Sequence, residues 1–229
     1  MEPPAGSSTA AALSVTAPLR VDLYQPGDFV SQTNLVQCVG ASMQMMQNII
    51  SGAADRTAAT QHRLFELAVS LGDPKSPYAG GAHGASAQGW AAGLTSLGLG
   101  PYGVVAVATF DEAVALAARA IVSTRRPVGL LVWQGAHAWV LSGVEATADP
   151  TLAPSARISA VRVLDPLYPR PGGAWGATPA PDARLTLAQL ARVFVPYRPY
   201  SRNAALRDRY VLVLPYDAPR LVGWRSYPV

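Results

Sequence analysis

One cysteine, Cys38, occurs in 229 residues, which excludes an internal disulfide and any metal site built from several thiolates. Lysine is equally scarce. Lys75 stands alone, so the formal charge of +4 is carried by arginine. No basic run accompanies that charge: Arg198, Arg202, Arg207 and Arg209 are spaced through a Tyr- and Pro-rich stretch and read as a solvated face, so no nucleic-acid partner is expected. No stretch reaches the roughly 18 consecutive apolar residues of a transmembrane segment. The N-terminus, MEPPAGSSTAAALSVTAPLR, lacks the basic start and dense apolar core of a signal peptide. A Walker-type phosphate loop is missing, since Lys75 follows a proline, and no cofactor is implied.

What is present is a globular composition, 50% hydrophobic and 14% charged, in a chain long enough to bury one substantial core but cramped for two. Residues 1–20, rich in Pro, Ala, Ser and Thr, read as a flexible tether, and residues 21–229 as a single domain. Such a tether is of the kind left behind a removed export signal or membrane anchor, which favours a secreted or envelope-tethered protein over a cytoplasmic one; a cloning boundary explains it equally well.

Periodicity divides the domain. In Cys38 to Ile50 the apolar residues Val39, Met43, Met46 and Ile50 recur at spacings of three and four, which predicts a helix with one buried face ending at Ser51-Gly52. Further helices are expected at Thr57 to Leu71, Ala85 to Leu97 and Phe110 to Ser123, with Asp73 to Gly84 a loop. From Pro127 the pattern changes to β-branched and aromatic runs, VGLLVWQ, HAWVLSGVEA, RISAVRVLD and DRYVLVLPY, which predict four antiparallel strands. One short helix, Leu185 to Phe194, is expected before the last. The expected fold class is therefore α+β, an N-terminal helical half packed on a C-terminal, mainly antiparallel sheet.

Cys38 opens its helix, where the dipole and unpaired N–H groups favour a thiolate. A buried, inert thiol is the alternative. Three histidines are available as its base. His62 lies in an amphipathic helix beside Arg63, and His83 in the loop GGAHGAS has no fixed scaffold behind it. His137 opens a strand after the turn Gln134-Gly135-Ala136, where the sheet would hold its ring. If the strands from His137 and to Asp165 form a hairpin turning near Thr151, Asp165 stands directly across from His137 and can orient the imidazole. Taken singly, a carbonyl-bonded core histidine and an ordinary strand end explain these two residues. At a strand end Asp165 would be dispensable for the core. A cysteine acyl transfer also needs oxyanion donors, and Gln32, six residues before Cys38, is the candidate side-chain amide.

Gln32, Cys38 opening a helix, His137 opening a strand and Asp165 ending the next resemble the papain superfamily. More narrowly, Cys38-Val39-Gly40-Ala41-Ser42-Met43-Gln44-Met45-Met46 and Val163-Leu164-Asp165-Pro166-Leu167 are similar to the branch of bacteriocin leader peptidases. The resemblance implies a papain-like cysteine peptidase acting on a peptide or protein substrate. It casts Cys38 as nucleophile, His137 as proton shuttle, Asp165 as third member, and Gln32 with the Cys38 N–H as the oxyanion hole. Gly40 departs from the branch, where proline is common, and predicts a nucleophile held less rigidly. Gln37 is a competing oxyanion donor. A transglutaminase or acyltransferase uses the same three residue types in this order, and a binding module without turnover would keep the fold alone.

Overall fold

The computed structural model describes residues 17–74, 78–198 and 205–216. Its elements run β1 (Leu19–Asp22), α1 (Cys38–Ser51), α2 (Ala58–Ser70), α3 (Ala87–Ser96), β2 (Tyr102–Val107), α4 (Phe110–Thr124), β3 (Val128–Val132), β4 (His137–Ala146), β5 (Ile158–Leu164), β6 (Ala183–Thr186), α5 (Leu187–Leu190) and β7 (Tyr210–Pro215). The class is α+β as expected, with helices concentrated in the first half and a sheet in the second. Every pairing is antiparallel, in the order β2-β7-β3-β4-β5-β6, and β1 extends the β3 edge of β4.

Three strands go beyond the four expected. β1 begins at Leu19, so the end of the expected tether is part of the sheet; residues 1–16 lie outside the described residues. β2 pairs along its whole length with β7. β6 takes the start of the segment expected as one helix from Leu185 to Phe194, which shortens to Leu187–Leu190. Thr186 decides that boundary, because it and Gln189 form a reciprocal capping box that starts the helix one residue after it.

The sheet is covered on both faces. On one lie α1, α2 and α3, whose Met43, Met46, Trp90 and Leu94 pack with Ala138, Val140, Leu164 and Val213. On the other lies α4, whose Val114, Ala117 and Ile121 pack with Leu130, Leu141, Val163 and Leu212. The helix expected at Phe110 to Ser123 thus lies on the face opposite the other three, and the sheet sits between helical layers. The unbroken apolar runs VGLLV and YVLVLP reflect it, since a strand buried on both faces has no solvent side to alternate with.

Helix α1 is buried all round in its first nine residues instead of along one stripe. Two of its polar members bond internally: Gln44 Nε2 donates to the Asp55 and Thr57 carbonyls, and Asn48 Nδ2 to those of Asp28 and Asp55, while Gln44 Oε1 and Gln47 Oε1 have no partner among the described residues. Gly40 also gains a reason. A Cβ there would stand 2.8 Å from both the Gln61 carbonyl oxygen and Phe65 Cβ, so glycine permits the close approach of α1 to α2. The first turn is closely packed against α2. Gly40→Ala should destabilise the fold by about 1–3 kcal/mol despite the better helix former, because both obstructing atoms are fixed to the facing helix. Thermal unfolding of the variant checks this.

Candidate active site

The nucleophile candidate owes its place to α1. Among the described helices, α2, α3, α4 and α5 are capped by the side chains of Thr57, Ser86, Thr109 and Thr186. Helix α1 is not: Gln37 makes no capping bond, and the first turn holds no acidic residue. Its orphan N–H groups are thus left for a negative charge at Cys38. Gln37 is turned elsewhere, with Oε1 accepting from Thr33 Oγ1 at 2.7 Å and Nε2 3.1 Å from His62 Nδ1. Its amide thus faces Thr33 and His62.

His137 is set by the β3–β4 turn. Trp133, Gln134 and Gly135 have φ of 57°, 60° and 92°, three consecutive left-handed residues that reverse the chain into His137. A left-handed tryptophan is strained backbone, sustained only where the surroundings over-determine it. Here they do. Trp133 N–H donates to the Val193 carbonyl at 2.8 Å, Arg198 N–H to the Gln134 carbonyl at 3.0 Å, and Tyr197 packs so closely on Gly135 that no Cβ fits. The Trp133 ring then stacks on His137 with centroids 4.3 Å apart, and Trp175 stacks beyond it. Trp133 was not singled out from the sequence, although an aromatic residue ending a buried strand just before the turn to a histidine is the signal that marks it.

Asp165 meets His137, but not directly across the hairpin. Val140 pairs with Leu164, so Trp139 stands level with Asp165 and His137 is its diagonal neighbour on the same face. Register shifts at Leu141/Gly143 and Glu145/Ala146 move the pairing off the symmetric turn. The diagonal is bridged all the same: His137 Nε2 lies 2.7 Å from Asp165 Oδ1. A carboxylate only accepts, so Nε2 carries the proton and Nδ1 is left for Cys38, whose electrostatic interaction with His137 shifts both groups. Asp165 is fully buried, its Oδ1 also accepts from Leu167 N–H at 2.8 Å, and Oδ2 has no partner among the described residues. The strand-end aspartate is therefore part of the core and not a dispensable surface residue.

Pro166 completes the arrangement. Level with Ala138 across the sheet, it has no N–H to offer, and β5 has ended. Ala138 instead accepts from Ser42 Oγ at 3.3 Å, tying α1 to the start of β4, where its N–H helps lower the Cys38 thiol pKa. The Pro166 carbonyl takes the Gln32 N–H at 2.7 Å. Gln32 is thereby fixed to the Asp165 turn, buried, with its Nε2 donating to the Asn34 carbonyl at 2.6 Å. Cys38, His137 and Asp165 are joined in one chain of contacts, and Gln32 joins them through its backbone.

Electrostatics follow from this geometry. Burial pushes the Cys38 thiol up, but the hydrogen bond and charge of His137 and the N–H groups of Ala138 and Val39 outweigh it, and the net direction is down. Burial alone would lower His137, yet its bonds to Asp165 and Cys38 push it up to about 9. Both shifts run in the direction that favours a thiolate beside an imidazolium. No family model matches this chain, and no curated protein matches it. The other histidines stand apart: His83 is exposed, and His62 is exposed and 3.2 Å from Glu66. Trp90 is fully buried, with its ring against Gly129, and part of the loop Asp73 to Gly84 lies outside the described residues. Among the described residues no group of three or more His, Cys, Asp or Glu could hold a metal ion, and no helix is long and apolar enough to cross a membrane.

Proposed function

We propose that this chain is a papain-like cysteine peptidase, a thiol hydrolase that cleaves peptide bonds through an acyl-enzyme. The observation that carries the reading is the continuous line from Cys38 through His137 to a buried Asp165, at a helix start that no side chain caps. Thiol, imidazole and carboxylate in that order are what nucleophilic acyl transfer requires.

In the proposed reaction the Cys38 thiolate attacks the peptide carbonyl carbon, and the oxyanion so formed is met by the Cys38 N–H and the second N–H of Gln32 Nε2. Collapse expels the amine, which takes the Nδ1 proton of His137 and leaves a thioester. Neutral His137 then takes a proton from water as the hydroxyl adds to the thioester, releasing the acid and restoring the ion pair. Asp165 holds Nε2–H throughout, so Nδ1 always faces the sulfur.

Activity should follow a bell in pH. The acid limb belongs to forming the thiolate, below an ordinary thiol, and the alkaline limb near pH 9 to the loss of the His137 proton. A rate still rising through pH 9 would contradict the pair. Hydrolysis and transfer are separated by product analysis of a cleaved peptide library with an added primary amine. The peptidase reading expects free acids as the main products, and amides at low amine concentration would favour the transferase.

A further inference from the structure

The reading of Gln32 as an oxyanion donor leaves open what holds it at the right distance from Cys38. Gln61, on α2, is fully buried and is not part of the line just described. Its Nε2 donates to the Ser31 carbonyl at 3.0 Å, and its Oε1 accepts the Thr33 N–H at 2.8 Å. One carboxamide thus grips the backbone on both sides of Gln32, as a neighbouring strand would. The remaining two groups are held elsewhere: Gln32 N–H by the Pro166 carbonyl at 2.7 Å, and Gln32 C=O by Arg170 Nη1 at 3.3 Å. The same residue also touches the nucleophile's helix, because its carbonyl oxygen is one of the atoms that a Cβ on Gly40 would strike.

We propose that Gln61 is a positioning residue for the oxyanion hole, its side chain fixing the Gln32 loop while its backbone abuts the first turn of α1. The two proposed donors, the Gln32 amide and the Cys38 N–H, are then referenced to a single residue of α2. The role does not extend to the ion pair: Gln61 bonds to neither His137 nor Asp165, so the thiolate forms without it. This inference rests on the preceding functional reading.

The test compares two reactions of Cys38. Reversible addition to a small peptidyl aldehyde creates an oxyanion, whereas alkylation by iodoacetamide displaces iodide and creates none. Gln61→Met, of similar volume without the amide, should weaken aldehyde binding about 10-fold or more, leave the alkylation rate and its pH profile unchanged, and speed hydrogen exchange at the Thr33 amide. Gln61→Glu keeps the acceptor for Thr33 N–H and loses the donor to Ser31, so an intermediate weakening is expected; it also serves if the methionine variant does not fold. Gln32→Ala is the reference. Aldehyde affinity unchanged in the Gln61 variants but weakened in Gln32→Ala overturns the positioning role alone. Alkylation falling in parallel with aldehyde binding also overturns it, by showing a general distortion. A wild-type chain that forms no adduct, or a Gln32→Ala variant that binds the aldehyde unchanged, overturns the functional reading and this inference with it.

Discussion

Cys38→Ala is expected to abolish acyl-enzyme formation and to reduce turnover by at least about 10⁴-fold, while the protein folds. The loss is near total because the sulfur is the atom that forms the bond, and no other thiol in the chain can replace it. Folding should survive. Ser42, Val39 and Gly40 still anchor the first turn of α1, and His137 keeps its bond to Asp165. Mass spectrometry of the protein after incubation with a thiol-directed probe, alongside circular dichroism, gives both readings. A variant that retained activity would move the chemistry away from this site.

Asp165→Ala should lose both activity and stability. Its turnover is expected to fall about 10²-fold or more, since His137 then lacks the partner that selects its tautomer. Stability should fall by about 3–5 kcal/mol, because the change leaves His137 buried without its counter-charge and strands the Leu167 N–H. The pH dependence has a definite sign. The His137 pKa is raised on folding to about 9, so the part of the stability that depends on the imidazolium is complete below the ordinary imidazole pKa of about 6.5 and disappears as pH rises through about 9. The gap between wild type and Asp165→Ala in denaturant unfolding should therefore be widest in mild acid and narrow above pH 9. Asp165→Asn should be milder in both respects, as an amide oxygen still accepts from His137 Nε2–H and Leu167 N–H. Without the negative charge its alkaline activity limb should move to lower pH. Equal unfolding midpoints for all three proteins would show that the carboxylate is not engaged in the core.

The parts of this site that could be read in the sequence are those that local physics decides. Cys38 at the head of an apolar 3.6-residue period and His137 at the head of a β-branched run are visible as such, and both begin the elements expected. Asp165 followed by proline marks a strand end for the same local reason. The diagonal contact between His137 and Asp165 was not legible, because a register shift within β4–β5 depends on the neighbouring strands and leaves no periodic trace. β1 and β6 are four residues each, too short for a period to emerge, and lean on β4 and β5 for their identity. β2 is different: Val104, Val105 and Val107 carried a strand signal that the surrounding glycine and proline obscured. The roles of Gly40, Trp133 and Gln61 arise from contacts between separate elements, which no single segment encodes.

The central claim is that Cys38 and His137 form a thiolate–imidazolium pair, and the pH dependence of Cys38 alkylation by iodoacetamide tests it most directly. An unperturbed thiol of pKa about 8.5 is almost wholly protonated at pH 6 and reacts only as pH climbs toward that value. With His137 protonated and bonded to the sulfur, the rate should already be substantial in mild acid, hold a plateau through neutrality, and change again near pH 9 as the imidazolium loses its proton. In His137→Ala the plateau should vanish and a single step at higher pH should remain, since burial is then opposed only by the Ala138 and Val39 N–H groups. A wild-type profile with only that one step, indistinguishable from His137→Ala, would contradict the account.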